Sequence, residues 1–164
     1  MIQRNSHNQI GNSLSPAVED ASVTIVPRGQ RDPAVSVALK ILVVDDNYDA
    51  AEALGEIMED LGHQVTVVFG GADALKVSAG TSHDLMLLDI GMPGLDGYET
   101  VMQLRSRNAT PRPFVVALTG FDQPSDRKRA LDAGFDRHMA KPVNLALLEE
   151  LIVFVEQQVA QRPN

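Results

Sequence analysis

Cysteine is missing from all 164 residues. Disulfides, thiolate metal sites and cysteine nucleophiles are therefore excluded. Long hydrophobic runs are missing too. The longest aliphatic stretches, Ile41–Val44 and Leu85–Leu88, are strand-sized and far short of a membrane span. The first thirty residues hold no continuous apolar segment of the kind a signal peptide needs. Membrane insertion is not expected, and the cytoplasm is the default compartment. Positive charge is scarce. Fourteen Lys and Arg against 22 Asp and Glu give a formal net charge of −8. That argues against nucleic acid as a partner, because phosphates call for a basic patch. It leaves protein partners and metal cations open. No G-x-x-x-x-G-K pattern follows Gly70–Gly71. That pair reads as a strand-to-helix turn and not as a phosphate cradle.

What is present is an ordinary globular composition, 44% hydrophobic and 22% charged, behind a polar beginning. Residues 1–38 are rich in Asn, Ser and Gln and have no clear periodicity. They are predicted to be a disordered N-terminal extension, with a short strand at Ser22–Val26 as the one candidate element. Arg4, Arg28 and Arg31 balance Glu19, Asp20 and Asp32 there, so the negative charge belongs to the remainder. Residues 39–158 are expected to form the folded domain and 159–164 a C-terminal tail.

Within 39–158, apolar runs alternate with helical spacings. The runs are LKILVV, HQVTVVF, HDLMLLD, PFVVALT and FDRHMA. In the first helical pattern Ala50, Ala53, Leu54, Ile57, Met58 and Leu61 share a face; in the last, Leu147, Leu148, Leu151, Ile152 and Val155 do so. Gly62, Gly80 and Gly134 fall where helices would stop, and Pro124 suits the first turn of the fourth helix. Five strands alternating with five helices predict an α/β fold with a doubly wound parallel sheet, strand order 2-1-3-4-5.

In such sheets ligands bind at the carboxyl ends of the strands, near the switch point between strands 1 and 3. Strand 1 ends in Asp45 and Asp46, strand 3 in Asp89, strand 4 in Thr119 and strand 5 near Lys141. Each of these polar residues terminates an apolar run. Three crowded carboxylates resist ionising together unless a cation neutralises them. Oxygen donors without His or Cys point to Mg²⁺. A lysine and a hydroxyl beside them suit a dianionic group such as a phosphoryl.

The segments VVDDN, LLDIGMPGLDGYE, ALTG and AKPV occur in this order, and the chain from Lys40 to Val155 resembles the receiver domains of bacterial two-component response regulators. GFDRHMAKPV also looks like the receivers of hybrid histidine kinases. The resemblance implies a CheY-like, flavodoxin-like (βα)5 fold and a role for each residue. Asp89 would accept a phosphoryl group from a phosphohistidine on a histidine kinase or histidine phosphotransfer protein. Asp46, Asp89 and the backbone carbonyl of Gly91 would bind Mg²⁺, and Asp45 would hold a metal-bound water. Lys141 would pair with the phosphoryl oxygens and Thr119 would hydrogen-bond one of them in the active state. The bond before Pro142 would be cis. Gly91 and Phe121 sit at positions that in this family influence hydrolysis of the aspartyl phosphate. Many receivers carry Tyr or Phe as a rotating switch residue where this chain has His138. The face of helix 4, strand 5 and helix 5 would then bind a downstream protein. The resemblance thus implies a signalling receiver and not a turnover enzyme. The sequence after helix 5 is too short for an output domain, so a stand-alone receiver is expected, with a receiver excised from a larger chain as the alternative.

Local alternatives bear on several of these residues. Asp45–Asp46 could simply cap the next helix. Asp96 reads as a turn or cap residue. His7 is in the tail, and His63 and His83 are expected in solvated loops. Arg127, Lys128 and Arg129 read as a solvated helix face. A haloacid-dehalogenase-type phosphatase would need a D-x-D pair, which neither Asp89-x-Gly91 nor Asp45–Asp46 supplies. A pseudo-receiver, binding partners without phosphorylation, would not require the intact set of Asp45, Asp46, Asp89, Thr119 and Lys141.

Overall fold

The alternation of buried and polar segments resolves into ten elements in a computed structural model that describes residues 37–108, 110–120 and 124–163. The strands are β1 (Lys40–Val44), β2 (Gln64–Val68), β3 (Leu85–Asp89), β4 (Phe114–Thr119) and β5 (Arg137–Ala140). The helices are α1 (Tyr48–Asp60), α2 (Gly71–Gly80), α3 (Gly97–Ser106), α4 (Pro124–Ala133) and α5 (Leu145–Ala160). The extension before residue 37, with its candidate strand, and Phe121 lie outside the described residues.

All strand pairs are parallel and the order is β2-β1-β3-β4-β5, the doubly wound arrangement expected from the sequence. The two-residue side-chain period divides each central strand between two cores. Ile41, Val43, Leu85, Leu87, Val116 and Leu118 point toward α1 and α5. Leu42, Val44, Met86, Leu88, Val115 and Ala117 point the other way, toward α2, α3 and α4. The leucines among them are at most 1% exposed, and each contributes about 1.5–3 kcal/mol of burial.

One helical face is turned from the predicted one, and a second departs from it at a single residue. In α1 the buried residues are Ala51, Leu54, Gly55 and Met58, while Ala50 and Ala53 are exposed. The cause is close packing on β2: a Cβ at Gly55 would lie 2.8 Å from Val67 Cγ2. In α5 Leu148, Leu151, Ile152 and Val155 are buried, whereas Leu147 is 52% exposed.

His63 and His83 are not solvated. Both are buried in the loops that enter β2 and β3 at the amino-terminal rim of the sheet. His63 Nδ1 accepts the Leu39 N–H at 3.3 Å. Burial lowers the His83 pKa from its usual 6.5; nearby Asp84 opposes the shift and Lys40 adds to it. Asp84 accepts the Lys40 N–H and the Arg162 guanidinium, each at 2.9 Å, and so ties the end of α5 to the sheet. Arg105 in α3 donates to the Gly134 and Pro113 carbonyls and to Asp136, at 2.9, 3.0 and 2.6 Å.

Candidate functional site at the carboxyl ends of the strands

β1 runs directly into Asp45 and Asp46, and its parallel neighbour β3 ends in Asp89. One carboxylate oxygen from each of Asp45, Asp46 and Asp89 lies within 4.8 Å of the other two. Asp45 and Asp89 are buried and Asp46 is exposed. Thr119 closes β4 and is buried beside them. The Lys141 N–H donates to the Thr119 carbonyl at 2.7 Å, which continues the β4–β5 ladder and holds Lys141 at the same rim. The Lys141–Pro142 peptide is cis.

Lys141 is the cation of the cluster. Its Nζ is 2.5 Å from Asp45 Oδ2 and 2.9 Å from Asp89 Oδ1. Burial by itself would lower the Lys141 pKa. Hydrogen bonds to Asp45 and Asp89, with their charges, outweigh that and raise it above 10.5. The second oxygen of Asp45, Oδ1, accepts the Asn47 N–H at 2.9 Å. Three carboxylates against one ammonium leave two negative charges in excess. An oxygen-only donor set with that excess matches a divalent hard cation such as Mg²⁺.

The capping alternative for the aspartate pair does not hold. Asn47 is the N-cap of α1, accepting the Ala50 N–H at 3.1 Å. Its place between an acidic pair and a helical pattern could have signalled both this cap and its bond to Asp45. Asp96 caps α3 in a reciprocal box with Glu99. The close approach of that helix start to β3 demands glycine: a Cβ at Gly97 would lie 2.5 Å from the Asp89 carbonyl oxygen.

The sequence pattern of the response regulator receiver domain matches residues 41–153. The chain belongs to the response regulator receiver family. Hybrid signal transduction histidine kinase L of Dictyostelium discoideum is 35% identical over 129 residues, 75% of this receiver chain and 8% of that protein. The transcriptional regulatory protein HprR of Escherichia coli is 32% identical over 123 residues, 75% of this chain and 52% of HprR. The chain thus spans about half of one relative and a small part of the other. A crystal structure of the Saccharomyces cerevisiae histidine phosphotransfer protein Ypd1 with the receiver domain of Ssk1 contains a similar chain. Identity is 25% and the TM-score 0.71, covering 75% of this chain and 92% of that one. The receiver domain of a signal transduction histidine kinase from Syntrophus aciditrophicus is 29% identical with a TM-score of 0.68, covering 77% and 96%.

In this receiver Gly91 follows Asp89 by two residues. A Cβ there would lie 3.9 Å from Asp89 Oδ2, an ordinary contact, so glycine leaves that side of the carboxylate open. Gly91 and Thr119 line a cavity of about 380 Å³ whose outer wall includes Tyr98, Asp126 and Arg129. His138 is half-buried on β5, opposite Ala117. Its neighbour Met139 packs toward α1 and α5, so strand alternation directs His138 to the α4 side. In the basic run of α4, Lys128 pairs with Asp132 at 2.6 Å, and the Arg129 guanidinium lies 4.1 Å above the Tyr98 ring. Among the described residues no helix is long and apolar enough to cross a membrane.

Proposed function

We propose that this receiver takes a phosphoryl group from a phosphohistidine onto Asp89, in a reaction that depends on Mg²⁺, and so switches its affinity for a protein partner. The observation that carries the proposal is the Lys141 ammonium between Asp45 and Asp89 beside an exposed Asp46. A carboxylate oxygen of Asp89 forms the new O–P bond as the N–P bond of the phosphohistidine breaks, and the imidazole leaves with the nitrogen's electron pair. Asp46, Asp89 and the Gly91 carbonyl would hold the ion, with Asp45 reaching it through water. The bound cation would supply charge neutralisation for the transferring group. Lys141 contributes a fixed positive charge at the same place, which needs no reorganisation during the reaction. Thr119 donates its hydroxyl to the phosphoryl group once Asp89 is modified. Water later releases inorganic phosphate and restores the carboxylate, with Gly91 leaving room for its approach. The chain then ends where it began, as a switch and not as a turnover enzyme.

Similarity to a hybrid histidine kinase, and to a chain crystallised with a histidine phosphotransfer protein, supports either class as the donor. Output would pass through α4, β5 and α5 to a downstream protein, with Thr119 and His138 on the α4 side as the moving parts. Neither nucleic acid nor a membrane is required, and the receiver would work in the cytoplasm beside its donor. The test is intact-mass analysis after incubation with Mg²⁺ and acetyl phosphate. The native chain gains one phosphoryl group, and it gains none with EDTA. A gain by Asp89→Asn, or none by the native chain, sinks the assignment.

A further inference from the structure

We infer that Arg129 and Tyr98 form a latch that holds α4 in its resting position and thereby lowers the reactivity of Asp89 toward phosphoryl donors. This rests on Asp89 being the acceptor. The apolar anchoring of α4 is thin: Ala130 is the one buried side chain among its described residues, and Leu131 is 59% exposed. An apolar stripe wide enough to fix a helix on a sheet is absent from PSDRKRALDA. The Arg129 guanidinium, 4.1 Å from the Tyr98 centroid, adds a cation–π contact between α4 and α3. Tyr98 cannot follow α4 if the helix moves. It is 8% exposed, lies in the core with Val101 and Leu104, and meets the Phe135 ring edge-on at 6.1 Å.

The latch borders the same cavity as Gly91 and Thr119, the neighbours of the reacting carboxylate in the chain and in the sheet. Tyr98 and Arg129 wall the cavity that Gly91 and Thr119 open into, so this cavity is space into which the start of α4 can shift. Thr119 ends β4, and α4 begins at Pro124. With so short a connection, drawing Thr119 toward a modified Asp89 displaces the first turns of α4. Arg129 is in the second turn, whereas Tyr98 stays with α3. The stack is therefore a contact of the resting arrangement, and only a contact that differs between two states biases their populations. A receiver that spends less time at rest also accepts phosphoryl faster, because the apparent rate scales with the competent fraction.

The experiment uses the full chain, Mg²⁺ and acetyl phosphate, with phosphorylation followed by intact mass. Arg129→Ala should accept phosphoryl about two- to fivefold faster than the native chain, the equilibrium shift that a partly exposed cation–π contact can supply. Tyr98→Leu, which keeps an apolar core side chain, should match it. Tyr98→Phe retains the ring face and should stay near the native rate. The double variant should be no faster than either single one, since both remove the same contact. Hydrogen exchange in unmodified Arg129→Ala should quicken over residues 124–133 and not in α1 or α5. Rates for Arg129→Ala equal to or below the native rate overturn the latch, as do additive effects in the double variant. A native chain that takes no phosphoryl at all overturns the assignment of Asp89 instead.

Discussion

The Lys141 ammonium lies 2.5 Å from a carboxylate oxygen of Asp45, a residue that stands at the far side of β3 from the strand that leads into the lysine. β5 and β1 are separated in the sheet by β4 and β3, so this ion pair spans the carboxyl rim across the end of β3, where Asp89 sits. Lys141 thus serves as the internal counter-ion of the acidic cluster, and the consequences are specific.

Removing the lysine should separate cation binding from phosphoryl transfer. Lys141→Ala leaves three neighbouring carboxylates with no protein cation, which strengthens their attraction for a divalent ion. Titration calorimetry should show Mg²⁺ binding at least as tight as in the native chain. Acceptance from acetyl phosphate should fall by about 10²-fold, the scale for losing one preorganised electrostatic contact. Weaker Mg²⁺ binding in the variant would contradict the counter-ion role.

Mg²⁺ should also stabilise the fold. At a hundredfold excess over Kd, a ligand of the native state adds about 2.7 kcal/mol. Urea unfolding of the native chain should show that dependence, and Asp46→Asn should lose most of it. An equal gain in both chains would place the cation elsewhere.

The start of α3 is set by Gly97, where a side chain would meet the backbone of Asp89 and Ile90 at 2.5 and 2.7 Å. Backbone cannot rotate aside, so Gly97→Ala should destabilise the chain by about 1–3 kcal/mol. It should slow phosphorylation as well by displacing Asp89. A variant with native stability and rate would remove this constraint.

His83 adds a pH dependence away from the acidic rim. Burial holds its folded pKa below 6.5, while the unfolded chain titrates near 6.5. Between those values the unfolded state binds more protons, so the His83 contribution to stability is constant above about 6.5 and is lost as pH drops through the folded pKa. His83→Gln should flatten the profile between pH 7 and pH 5.5 in urea unfolding. Superimposable profiles would show that folding leaves the His83 pKa unchanged.

The rim was legible in the sequence because each of its residues ends an apolar run: Asp45 after ILVV, Asp89 after LMLL, Thr119 after VVAL. A parallel sheet brings such ends together whatever their separation in the chain. Features that depend on distance of approach were not legible. Hydrophobic spacing favoured Ala50 and Ala53, but the nearness of Val67 selected Ala51 and Gly55 for the inner face of α1. His63 and His83 had the neighbours of loop residues, yet the fold buries both. Arg129 belonged to a basic run with the spacing of a solvated face; only the fold puts Tyr98 beneath it. Asn47 carried a usable signal, a capping residue between an acidic pair and a helix.

The central claim is that Asp89, and no other carboxylate of the cluster, carries the phosphoryl group. Borohydride reduction converts an aspartyl phosphate to homoserine, and peptide sequencing by mass spectrometry then locates it. After incubation with Mg²⁺ and acetyl phosphate, homoserine is predicted at position 89, with Asp45 and Asp46 unchanged. Homoserine at position 45 or 46, or at 89 without prior phosphoryl donor, would contradict the account.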